Sequence, residues 1–392
     1  MGTLPAYAEY PYPCELTDEN SKVISHVYLD IDFDYIEMAV LTNEVQFSLP
    51  AKSLVLRFKT PQTIVSTLDG WKHEVRAVGN HYTPPEAWQT AHDLGLGEMN
   101  RMTTEYLGLS PESSGLLYTG ADVGKYAYIE LSDEHNGKEL RVGVLATAGV
   151  RSNAMRAGFD SGNYWKPGTI NLILVANHEL APQAMLQMLI VATEAKTAAL
   201  EDLDIRSSYS KHPATGTGTD NIIVVGGEGA TSEYSVALTM AGGHTKLGEL
   251  TGKAVHQAVT EAIEKQNKLE PERDIITRLE EHGVKLETLR LDELNDHQAQ
   301  QLVSELKLLL HEPYYASALA SFMAVGDANM RGLVDKNQVH SDWAEALASK
   351  IAGKEVSQCK PLLREQDINP LLKLTLDAML NGIALREGIE IH

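Results

Sequence analysis

A run of short hydroxyls and glycines closed by a carboxylate, Ala214-Thr-Gly-Thr-Gly-Thr-Asp220, is where side chains able to do chemistry are packed most densely in this chain. Glycines let a backbone come close to a ligand and turn its N–H groups toward it, while threonine hydroxyls are short donors. Such a loop suits stabilisation of the negative charge that develops on the oxygen of a carbonyl under attack. Thr215, Gly216, Thr217, Gly218 and Thr219 are the candidate donors, and Asp220, at the mouth of the next apolar run, could orient a hydroxyl or a lysine. The plainer reading is a tight connection in which Asp220 caps its own turn. A phosphate-cradling loop fits less well, because no Lys-Ser/Thr pair closes the run and a strand pattern follows where a helix should begin.

Two further groups could move protons or bind a carbonyl. Glu194 and Lys196 belong to Thr193-Glu-Ala-Lys-Thr-Ala-Ala-Leu200, in a helical pattern after Pro182. Gln187, Glu194 and Glu201 are seven residues apart, which puts them on one line of a helix, most simply its solvated face. Lys196 falls among Leu189, Ala192, Thr193, Ala199 and Leu200, where a lysine either snorkels outward or has a buried task. Thr147, Ser152 and Asn153 surround the end of an apolar run; each could donate to a carbonyl or attack it, and each is equally an ordinary strand-end cap. The 14 histidines form no His-x-x-x-His or His-Glu-x-x-His pattern, so neither a catalytic zinc nor any other cofactor is expected. His178 and His244 read as surface-loop histidines after core strands.

The elements that must position these groups are three buried strands, Arg141–Val150, Gly168–Ala176 and Ile222–Val225, with the polar turn 151–156 after the first. Upstream, residues 1–20 are rich in tyrosine and proline and read as an extended arm, lying on its own subunit or on a partner in a homo-oligomer. Val23–Leu29, Tyr35–Leu41, Ser53–Phe58 and Thr63–Thr67 read as a meander with a turn at Asp69-Gly70. A helix over Ala87–Leu94 and short strands at Leu116–Tyr118 and Lys125–Leu131 follow. Lys246–Lys268 has the spacing of an amphipathic helix, and Pro271 punctuates its end. Beyond it strand signals almost vanish, and helices are expected at Arg273–His282, Glu293–His311, Tyr314–Gly326, Asp342–Ala352 and Pro370–Arg386. The fold class expected is α+β: a layered mixed β-sheet domain flanked by helices, residues 1–267, followed by an all-helical C-terminal domain, residues 268–392.

Several ordered blocks carry a resemblance. Leu117-Tyr-Thr-Gly-Ala-Asp-Val123, Thr147-Ala-Gly-Val150 with Asn153-Ala154, Arg156-Ala-Gly158, Gly168-Thr-Ile-Asn171, Thr193–Leu200, Ala214–Asp220 and Lys246–Val255 together resemble the adenosylcobinamide amidohydrolase family over roughly residues 30–267. One departure stands out: the family's contiguous Gly-Val-Ser-Asn is interrupted here by Arg151, between Val150 and Ser152. The resemblance implies hydrolysis of the amide joining aminopropanol to a propionate arm of the corrin ring, giving adenosylcobyric acid and 1-amino-2-propanol. It points to Lys196, Asp220 and Thr217, then Glu194, Asn153 and Thr147, as carriers of the chemistry. Ser152, Asn171, Thr215, Thr219, Gly216 and Gly218 would lie against the substrate. The alternative is a corrinoid-binding or handling protein without turnover; a third reading makes the helical half a partner-interaction module. A more distant similarity in motif order to ornithine acetyltransferases and β-peptidyl aminopeptidases implies layers in the order helix, sheet, sheet, helix.

Bulk properties narrow the partners. A formal net charge of −21 disfavours nucleic acid and anionic membrane, which both require basic surface, and is compatible with an amide-rich, cationic corrinoid. The only two cysteines, Cys14 and Cys359, lie far apart, so no disulfide framework and a reducing cytoplasm are expected. The N-terminus has no basic start followed by an apolar run, and no apolar stretch reaches the roughly 18 residues needed to cross a bilayer.

Overall fold

Leu140, Val142, Val144, Ala146 and Ala148 are buried on one side of a strand and Leu145 on the other, so this strand has two dry faces and must lie between two layers. Such layering organises the first part of the chain in the computed structural model, which describes residues 22–46, 49–162, 166–227, 237–334, 342–364 and 368–391. The expected arm over residues 1–20 lies outside the described residues. Two compact units divide the chain, Met1–Pro271 and Glu272–His392.

The first unit is built on a nine-stranded mixed sheet. Its strands are β1 (Lys22–Tyr28), β2 (Ile36–Gln46), β3 (Leu49–Ser66), β4 (Gly70–Tyr82), β5 (Ser114–Thr119), β6 (Ala127–His135), β7 (Lys138–Ala148), β9 (Ile170–Ala176) and β11 (Asn221–Val225), while β8 (Ala154–Met155) and β10 (Gly216–Thr217) form a separate pair. The order is β1-β2-β3-β11-β9-β7-β6, with β4 pairing β3 and β5. Among the described strands, only β9 with β11 and β4 with β5 run parallel. β3 joins the layers. Expected as two strands, it is one strand whose first part pairs β2 and whose last residues, Ile64–Ser66, pair β11. Its register against β4 slips between Arg57, Gln62 and Ile64, around Pro61, which cannot donate to the ladder; such irregularities bend a sheet.

The bend stacks the sheet on itself. Leu145, Ile173, Val175, Ile223 and Val225 pack against Leu56, Phe58, Ile64, Val75, Val78 and Leu117 between the two layers. On the far face of β7, β9 and β11 lie helices α3 (Pro182–Asp202) and α4 (Lys246–Asn267). Outside β5 lie α1 (Pro85–Leu94) and α2 (Leu96–Tyr106), whose Ala91, Met99 and Met102 pack with Tyr118. The layers therefore run helix, sheet, sheet, helix. The Thr245 side chain caps α4 by accepting from Gly248 N, and Lys268 ends it in the left-handed region at φ 57°.

The second unit is helical: α5 (Ile275–Glu281), α6 (Asp296–Leu310), α7 (Pro313–Met330), α8 (Asp342–Ala352) and α9 (Pro370–Glu387). A capping box between Asn295 and Gln298 starts α6. α9 is its core element, with Leu372, Leu376, Met379, Leu380 and Ile383 all buried. Burial pushes the Asp377 carboxyl up, and its Oδ1 accepts from Leu362 and Leu363 N–H.

Candidate functional site

α3 delivers Lys196 to the sheet. Ala192, Ala199 and Leu200 surround it, and at 6% exposure the lysine is buried and does not snorkel. Its Nζ bonds Asp220 Oδ2. Asp220 sits between β10 and β11, and its carboxylate is fully engaged: Oδ2 also accepts from Thr217 N at 3.0 Å, while Oδ1 accepts from Thr217 Oγ1 at 2.6 Å and from Ile170 N at 3.0 Å. A buried ion pair is tolerable only when its remaining lone pairs are satisfied in this way. Asp220 therefore does cap its own turn, and it holds the lysine as well. Gly216 packs directly against this pair: a β-carbon there would run into Asp220 Oδ2 and stand 2.6 Å from Lys196 Nζ, so any other residue must displace the pair.

The turn after β7 closes over this pair. β8 pairs β10, setting Ala154 opposite Thr217. Asn153, 1% exposed, donates through Nδ2 to Gly168 O at 2.6 Å, accepts at Oδ1 from Tyr209 OH at 2.6 Å, and accepts at its carbonyl from Gly218 N at 3.2 Å. Gly168, at φ 131°, comes so close that a β-carbon would sit 2.8 Å from Gly149 O. Thr219 donates to Gly168 O at 3.2 Å, and Thr215 Oγ1 accepts from Ala157 N at 2.9 Å. Lys196, the threonine-glycine turn and the bend after Val150 thus converge. Arg151, Ser152, Gly218 and Thr219 are exposed around the buried Asn153 and Thr217.

Arg151, the residue that interrupts the family motif, has its own place: its Nε and Nη2 donate to Asn267 O at 3.1 and 2.7 Å, while Val150 N donates to Asn267 Oδ1 at 3.1 Å. The turn is thereby fastened to the end of α4. Ser152 is exposed and donates to Pro167 O.

Three expected residues lie elsewhere. Glu194 is exposed on α3 and makes no hydrogen bond or ion pair within this cluster, as its line with Gln187 and Glu201 implied. Thr147 and Asn171 are paired across β7 and β9 but point between the two sheet layers. There Thr147 Oγ1 accepts from Asn80 Nδ2 at 2.8 Å, and Asn171 Nδ2 donates to Asn80 Oδ1 and to Tyr118 O, both at 2.9 Å. Asn171 Oδ1 has no partner among the described residues. Asn80 was not anticipated; a lone asparagine in a strand pattern gives no hint of partners 67 and 91 residues away. The same holds for His81, whose Nδ1 shares a hydrogen bond with Ser53 Oγ at 2.8 Å and whose burial pushes its pKa down to about 3.

The arrangement suits nucleophilic chemistry. A hydroxyl within 2.6 Å of a carboxylate, itself oriented by a third group, has the geometry of a nucleophile and its base. Among the described residues no group of three or more His, Cys, Asp or Glu could hold a metal ion, and no helix is long and apolar enough to cross a membrane.

Comparison with known proteins accords with the resemblance. The family model described as adenosylcobinamide amidohydrolase matches residues 38–271. An uncharacterized protein of Methanocaldococcus jannaschii is 37% identical over 239 residues, covering 56% of this chain and 88% of that protein. Similar solved structures include a Pyrococcus horikoshii OT3 protein (13% identity, TM-score 0.32, covering 63% of this chain and 84% of that one). Another is an L-aminopeptidase D-Ala-esterase/amidase of Ochrobactrum anthropi (12% identity, TM-score 0.29, covering 55% and 79%).

Proposed function

Because the chain belongs to the adenosylcobinamide amidohydrolase family, we propose that it hydrolyses the aminopropanol amide of adenosylcobinamide, with Thr217, Asp220 and Lys196 carrying the reaction. The observation that supports this most is that one carboxylate serves both the Thr217 hydroxyl and the Lys196 ammonium. Thr217 Oγ1 attacks the amide carbon as its proton passes to Asp220. The tetrahedral adduct then collapses: the C–N bond breaks, the nitrogen takes a proton from Asp220 or Lys196, and 1-amino-2-propanol leaves. Water attacks the resulting Thr217 ester, giving adenosylcobyric acid and restoring the hydroxyl. Thr219 N–H, which makes a long 3.4 Å contact to Thr217 Oγ1, is the donor best able to turn toward the oxyanion.

The test is incubation of purified protein with adenosylcobinamide, with 1-amino-2-propanol and adenosylcobyric acid quantified. Both products form with the wild type and neither accumulates with Asp220→Asn; a folded wild type that yields none overturns the reading. Burial favours one other reading, since Lys196 and Thr217 are only 6% and 7% exposed: a corrinoid-binding protein without turnover. A shift in the visible absorbance of added cobinamide without product would identify it.

A further inference from the structure

On a chain of net charge −21, three lysines meet around one concavity of the first unit. Lys125, Lys265 and Lys268, with Gly124, Tyr126, Tyr128 and Glu261, line a space of about 590 Å³. Lys265 is already engaged: its Nζ donates to Tyr126 O at 3.0 Å, pairs with Glu261 at 2.6 Å and lies 5.8 Å from the centre of the Tyr126 ring. Lys125 and Lys268 are exposed, and neither ammonium has a hydrogen-bond or ion-pair partner among the described residues. Two positive charges therefore face this space unbalanced. Lys268 also occupies the left-handed position that ends α4, where glycine is the usual residue.

We infer that this concavity binds a small organic phosphate. Its size falls in the range of about 300–1,000 Å³ typical of small-molecule sites. Lysine ammonium groups act as point charges for phosphate oxygens, and the two tyrosine rings supply a less polar wall for the rest of the ligand. None of these residues belongs to the Thr217–Asp220–Lys196 cluster, so the inference stands apart from the hydrolase reading. A structural role is the competing account, because cations at the end of α4 also offset its dipole.

Calorimetric titration of the full chain at constant ionic strength separates the two, using pyrophosphate, adenosine monophosphate and uncharged adenosine as probes. The expected result is saturable binding of both phosphates, with adenosine at least about tenfold weaker. In Lys125→Gln/Lys268→Asn, where asparagine keeps the left-handed cap, phosphate affinity falls at least about tenfold with circular dichroism unchanged. Lys354→Gln, in the second unit, leaves it intact. Absence of saturable binding by either phosphate up to about 10 mM, or an unchanged affinity in the double variant, overturns the inference.

Discussion

Two buried polar networks lie back to back across β9, and they follow different rules. On the helical side a charged pair is saturated, with the Asp220 carboxylate accepting from Lys196, Ile170 and Thr217. On the side between the sheet layers the groups are neutral and less complete: Asn171 Oδ1 has no partner among the described residues. The difference teaches where each network's value lies. A buried carboxylate without full neutralisation would cost several kcal/mol, whereas an orphaned amide oxygen costs about 1–3 kcal/mol and can be carried by a large core. The first network concentrates charge beside a hydroxyl, as a reaction requires; the second clamps two layers together.

Breaking the comparison begins with turnover. Thr217→Ala or Asp220→Asn lowers kcat by about 10²–10⁴, read as 1-amino-2-propanol release, while Asn80→Ala leaves the rate within a few-fold of wild type. Next comes stability. Lys196→Met strands a buried carboxylate and costs about 3–5 kcal/mol by urea unfolding, and adding Asp220→Asn recovers part of it; equal stability of the single variant and the wild type would mean that the pair is not buried in solution.

Next to the neutral network, on the opposite face of β4, the buried His81 has its own signature, in acid. The folded-state pKa of His81 is depressed from 6.5 to about 3, so between those values the unfolded chain binds the extra proton. Its contribution is therefore complete above pH 6.5 and is lost as pH falls toward 3, at a slope of at most about 1.4 kcal/mol per pH unit. His178, expected at the surface but buried in the structure, is pushed down to about 4 by burial first and then by His135 and Lys138, and adds to the same trend. Comparing wild type with His81→Gln over that range isolates the His81 share, and parallel pH curves would refute the assignment. Asn80→Ala, which leaves Thr147 and Asn171 without their shared partner, costs about 1–3 kcal/mol in the same unfolding assay. Glu194→Gln, on the exposed face of α3, changes stability by no more than about 0.5 kcal/mol and leaves turnover alone.

What could be read from the sequence was whatever local periodicity encodes. The apolar run read as Arg141–Val150 is β7, Lys138–Ala148, and helical spacing separated Lys196 from the solvated line of Glu194. Pro182 marks a helix start because its chemistry is local. Pairing is not local: nothing in Asn221–Val225 says that it lies parallel to β9 on one side and antiparallel to the end of β3 on the other. α2 went unread because Gly95 and Gly97 interrupt its start and only Met99 and Met102 mark an apolar face. In the candidate site, the convergence of Lys196 with Asp220 was legible through the family motifs. The inward turn of Thr147 and Asn171 was not, since it depends on which layer β4 brings against them.

The most direct test of the Thr217 assignment is single-turnover release of 1-amino-2-propanol from adenosylcobinamide by wild type, Thr217→Ala and Thr217→Ser. The account predicts product from the wild type, none above background from the alanine variant, and restored product from the serine variant, which returns the hydroxyl to Asp220. Release by the alanine variant at the wild-type rate would contradict it.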